Sequence, residues 1–211
     1  MDSLEMRPEE IEKESFRIID AEAGNHDWPD AEWQVIRRAI HTSADFEYCR
    51  TTVFSEGAVE QALKAIQSGC GIVTDTNMAL AGISKARLEN FGNTVSCHVA
   101  DSDVAELARR DGITRSIAAM RKAVTDPSNR IFVIGNAPTA LFELLRLIKE
   151  GKVDPALIIG LPVGFVGAEE SKIALAAIEH PVPFITNMGR KGGSNVAAAV
   201  VNALAILAAQ G

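Results

Sequence analysis

The side chains in this chain able to move a proton or hold an anion form a short inventory: His41, a few hydroxyls and several arginines. In RRAIHTS, His41 follows Arg38 by three residues and Arg37 by four. On a helix it therefore neighbours either arginine. It closes the helical pattern AEWQVIRRAIHTS, where the helix dipole favours imidazolium and a nearby arginine opposes it. An imidazole balanced in this way gives or takes a proton near neutrality. An exposed histidine in a last turn has the same spacing, so spacing alone does not decide its role.

The anion-holding candidates follow the same logic. Thr114 in GITRS reads as an N-cap, which puts Arg115 in a first turn where a cation opposes the dipole. A bound anion shared with the free N–H groups would explain that position. Arg190, Lys191 and Ser194 in GRKGGS lead into the N-terminus of the last helix, a seat for a carboxylate or phosphate. Thr76 in TDTN, and Asn136 and Thr139 in GNAPT, stand just past apolar runs. Ser15 shares a helical stripe with Ile11, Ile18 and Ile19, where a hydroxyl can also bond back to the carbonyl one turn earlier. This set suits proton transfer on a polyanionic substrate without identifying one.

Other chemistries lack their signatures. G-x-x-x-x-G-K-[ST] is absent, and the spacing Gly160, Gly164, Gly167 is not G-x-G-x-x-G. No G-x-S-x-G elbow occurs. Cys49, Cys70 and Cys97 are odd in number and scattered, reading as thiols of a reducing compartment. His98, Asp101 and Asp103 make a poor metal set beside the simpler reading of a solvated strand end, so no metal site is expected.

The elements that must position these groups are legible around Ile131–Leu141, IFVIGNAPTAL. Its apolar run suits a strand buried on both faces, and Gly135 and Pro138 turn it into a helix. Similar runs end at TDTN, GLPVG and TNMGRKGGS, with TVSCHV a further strand. The reading is a three-layer α/β/α, Rossmann-like domain over residues 1–211, on a mostly parallel sheet of about five strands. Helices are expected over 8–22, after an Asp30 cap, and over 55–68. In such sheets ligands bind at the carboxyl edge of the strands, where these loops offer many backbone N–H groups.

A net charge of −7 argues against nucleic acid as a partner. The apolar final stretch SNVAAAVVNALAILAAQ is broken by Asn195 and Asn202 and reads as a buried helix rather than a membrane span. With an acidic N-terminus, a cytoplasmic protein is expected.

As a set, ESFRII, RRAIHTS, TDTNMALAGI, GITRS, IGNAPTALFELL, IIGLPVGFVGAEESK and GRKGGS resemble the precorrin-8X (cobalt-precorrin-8) methylmutase family, in the family's order from about residue 8 to 195. The resemblance implies an isomerase of cobalamin biosynthesis that moves a methyl group from C-11 to C-12 of the corrinoid, giving hydrogenobyrinate or its cobalt form. It also implies no protein-bound cofactor, cobalt belonging to the substrate, and a homodimer. His41 matches the family's proton donor, and Ser15, Arg38 and Arg115 become substrate contacts. Two further readings use the same residues: a corrinoid carrier without turnover, and a nucleotide-dependent Rossmann-like enzyme.

Overall fold

The computed structural model describes residues 7–179 and 181–210. In chain order it runs α1 (Pro8–Ala23), α2 (Asp30–Ser43), α3 (Tyr48–Thr51), β1 (Thr52–Phe54), α4 (Ala58–Gln67) and β2 (Gly71–Thr74). Then come α5 (Asn77–Gly82), α6 (Lys85–Glu89), β3 (Val95–Ser96), α7 (Ser102–Asp111), α8 (Arg115–Ala123) and β4 (Asn129–Ile134). The chain finishes with α9 (Pro138–Lys149), β5 (Leu157–Gly160), α10 (Ala168–Ala176), β6 (Phe184–Asn187) and α11 (Ser194–Ala208).

The strands form one sheet in the order β1-β6-β5-β4-β2-β3. Every pairing is parallel except β1 with β6, where Thr52 lies opposite Asn187. The five parallel strands are those legible in the sequence; β1 adds a sixth, too short for its pattern to register. Side-chain alternation along β4 divides the core. Ile131 and Val133 join the layer built on α2, α4 and α11, while Phe132 and Ile134 join that built on α8, α9 and α10. α11 is buried almost all round because it packs against α2, α4 and α5 as well as the sheet. Its apolar character therefore reflects a central position. Among the described residues no helix is long and apolar enough to cross a membrane.

Local expectations need three corrections. Asp30 does not cap α2; Pro29 is the N-cap and Asp30 already lies inside the helix, where its charge favours the dipole. The helix expected from residue 55 begins at Ala58, because the Ser55 hydroxyl accepts the Phe184 N–H at 2.8 Å and holds that residue to the sheet edge. The α1 stripe is not uniformly inward: Ile19 is buried, but Ile11 and Ile18 are exposed.

β2 continues outward to β3, whereas β4 continues the other way to β5. The gap between the ends of β2 and β4 is thus the sheet's topological switch, the crevice where such folds take ligands.

Candidate active site

Asp75 stands directly past β2 in that crevice, almost fully buried. Its carboxylate accepts the backbone N–H groups of Gly135 at 2.9 Å, Asn136 at 2.8 Å and Ala137 at 2.7 Å. Burial pushes this carboxyl up from its ordinary value, while the three N–H groups pull it down by less. The consequence corrects the sequence reading. The N–H groups of the GNAPT loop are taken by an internal carboxylate and are not available to a ligand.

The next residue, Thr76, caps α5 through the Ala79 N–H at 3.1 Å and meets the Ser194 hydroxyl at 2.8 Å. Ser194 opens α11, whose N-cap Gly193 contributes no side-chain cap. Gly135 is required where α11 crosses β4: a Cβ there would lie 2.7 Å from Ser194 Cα. Thr139, in the first turn of α9, touches the N-cap hydroxyl of Thr114 at 3.2 Å. Arg115, at the start of α8, is exposed beside it, as is the side chain of Asn136. Thr76, Ser194, Asn136, Thr139 and Arg115 thus gather around the switch.

Ser15, Arg38 and His41 form a second group on the α1–α2 pair. The Phe16 ring lies 5.1 Å from the His41 ring, and the Arg37 and Arg38 guanidinium carbons lie 4.4 and 4.9 Å from it. Arg37 pairs with Asp20 at 3.0 Å and Arg38 with Glu12 at 2.7 Å. Ser15 donates to the Ile11 carbonyl at 2.8 Å, leaving its oxygen able to accept. His41 is exposed in the last turn of α2.

Loop 188–193, after β6, ties the two groups together. Lys191 Nζ binds Asp45 and Glu47, each at 2.6 Å, just beyond the end of α2. The Lys191 ammonium holds the Asp45 carboxyl below its ordinary value, and the two carboxylates push the lysine up. The Lys191 ammonium thereby anchors the end of α2 to the edge. Arg190 stays outside, with its guanidinium 5.7 Å from the Phe165 ring.

Five residues stand out here that the sequence reading did not select. Asp75 was one of several polar residues past a strand, with no sign that it turned inward. Phe16, outside the α1 stripe, carried no signal of its own. Phe165 and Val166 lie in the loop after β5 and are 85% and 89% exposed, an unusual display of large apolar side chains. Lys172 of α10 is fully buried and donates to the Lys191 carbonyl at 2.6 Å. Burial pushes its ammonium down to about 8, against a smaller upward pull from Glu169.

The two carboxylates of the discounted metal set share the Lys122 ammonium. Asp101 binds His98 at 3.0 Å and Lys122 at 2.8 Å, and Asp103 binds Lys122 at 2.7 Å.

Fold and site together define a doubly wound α/β domain with a polar crevice at its switch, lined by Thr76 and Ser194. The precorrin-8X methylmutase family model matches residues 10–207, and the chain belongs to that family. It is 50% identical over 208 residues to the cobalt-precorrin-8 methylmutase of Priestia megaterium, covering 99% of this chain and 92% of the relative. It is 42% identical over 195 residues to the precorrin-8X methylmutase of a Sinorhizobium species, covering 92% of each. A crystal structure of the Thermus thermophilus precorrin-8X methylmutase superposes with a TM-score of 0.86 at 47% identity, covering 95% of this chain and 98% of that one.

Proposed function

We propose that the chain is a cobalt-precorrin-8 or precorrin-8X methylmutase: an isomerase that moves the methyl group at C-11 of the macrocycle to C-12. One carbon–carbon bond breaks as the other forms, so the reaction exchanges no electrons with a second reactant. In this reading His41 protonates the macrocycle and favours the rearranged tautomer. Arg38, Arg115 and Arg190 hold peripheral carboxylates, each charged hydrogen bond contributing about 1.5–3 kcal/mol. Ser15, Thr76, Asn136, Thr139 and Ser194 supply polar contacts, and no protein-bound cofactor takes part.

The observation that carries this reading is the tie between the two groups. Lys191 joins the end of the helix bearing His41 to the loop that delivers Ser194 to Thr76. In this reading the tetrapyrrole contacts both groups, and the exposed Phe165 and Val166 offer an apolar face to its ring. The same reading has residues 1–211 act as one cytoplasmic domain, working as a homodimer. Exposed Ile11 and Ile18 beside Ser15 are suited to lie against a second copy.

The test is an anaerobic absorbance scan of the protein mixed with precorrin-8 and, separately, with its cobalt form. A shift to the corrin product spectrum supports the methylmutase and shows which form is preferred. Binding without a shift would leave a carrier, and binding of neither would end this reading.

A further inference from the structure

Lys172 is the least expected side chain in the molecule. It is 0% exposed, yet among the described residues no carboxylate lies within ion-pair distance of its ammonium. Lysines are rarely buried this deeply without a partner, and an apolar residue of similar length fills such a space at lower cost. Its contacts are the Lys191 carbonyl at 2.6 Å and, more distantly, Asn187 Oδ1 at 3.4 Å. Asn187 Nδ2 donates to the same Lys191 carbonyl at 2.9 Å. Two fully buried side chains from different elements, α10 and β6, thus converge on one backbone oxygen.

That oxygen sits in the middle of the loop that joins the two halves of the site. One residue on, Gly192 is pressed so closely against the GLPVG loop that a Cβ would lie 2.3 Å from the Leu161 carbonyl oxygen. Gly193 then donates to the Leu161 carbonyl at 2.9 Å, and Ser194 reaches Thr76. On the other side, the Lys191 side chain runs to Asp45 and Glu47. Displacing the Lys191 carbonyl would move Ser194 and the end of α2 together.

We infer that Lys172 is a positioning residue for the methyl shift: by clamping the Lys191 carbonyl it sets loop 188–193, and through it the placement of Ser194 and of the end of α2, the helix that carries His41. This inference rests on the methylmutase reading. An ammonium makes a stronger hydrogen bond to a carbonyl than a neutral donor does, which accounts for a lysine where a neutral side chain would pack more cheaply.

The test is Lys172→Met, with Lys172→Gln as a second variant that keeps a neutral donor. Both are expected to fold with Tm at or above that of the natural protein. Conversion of cobalt-precorrin-8 should fall up to about a hundredfold in kcat for Met, less for Gln, with KM changed less than kcat. Amide exchange over 188–193 should quicken in the Met variant. A double-mutant cycle with Asn187→Leu should be non-additive, since both donors act through one carbonyl. Unchanged exchange over that loop would overturn the inference even if the natural protein had no methylmutase activity. Normal turnover by Lys172→Met alongside an active natural protein would overturn it and leave the methylmutase reading intact. Failure of both variants to fold would make Lys172 a folding residue and overturn the inference as well.

Discussion

Asp75 accepts the backbone N–H of Ala137 at 2.7 Å, and this bond closes the switch between β2 and β4 from within. The carboxylate takes the place that a ligand anion holds in many folds of this architecture. Replacing it by Asn leaves one acceptor oxygen where two served Gly135, Asn136 and Ala137. A buried donor without an acceptor costs about 1–3 kcal/mol. Asp75→Asn is therefore expected to lower Tm by about 2–12 °C in a calorimetric scan, and an unchanged Tm would remove Asp75 from its structural role.

Arg38 carries a different kind of expectation. Its pair with Glu12 is half exposed and adds little to stability. Arg38→Met should leave Tm nearly unchanged and raise KM for the corrinoid about tenfold or more. A fall in kcat at constant KM would place Arg38 in the chemistry instead of in binding.

Phe165 and Val166 stand in solvent, so their replacement by Ser is expected to shift stability by less than about 0.5 kcal/mol. If they cover the apolar face of the macrocycle, losing that burial weakens binding about tenfold. Spectroscopic titration of the double variant reads this directly, and unchanged affinity would place the ring elsewhere.

Glu143 supplies a pH signature unrelated to the site. Burial works to raise its carboxyl, but Arg146 and Arg121, at 2.7 Å each, together hold it below its ordinary value. A depressed carboxyl contributes stability above the unfolded value near 4.5 and loses it as pH falls through the folded one. Both guanidiniums are more than a third exposed, so the contribution is discounted to about 1 kcal/mol or less. Glu143→Gln should therefore be less stable at pH 7, with the difference shrinking towards pH 3. A pH-independent difference in urea melts would argue against the ion pairs.

Most of the parallel strands were readable because they are continuous apolar runs closed by turn residues, as in Ile131–Ile134 before Gly135. β1 was not, since the three residues Thr52–Phe54 carry no period and owe their conformation to pairing with β6. The Thr114 cap and the Pro138 start of α9 were legible because capping is local chemistry. Asp75 and Lys172 were illegible for the opposite reason. An Asp past a strand and a Lys on a helix normally face solvent, and only tertiary packing turned these two inward. Lys191 shows the same limit: its pairing with Asp45 and Glu47 depends on tertiary packing that no local pattern announces.

The central claim is that His41 moves the proton while the rest of the site binds. Its most direct test is His41→Ala mixed anaerobically with cobalt-precorrin-8, following binding and conversion in one absorbance record. The account predicts that binding persists while conversion falls by about 10²–10⁴-fold, the usual contribution of a positioned general acid. Conversion at the natural rate would contradict it.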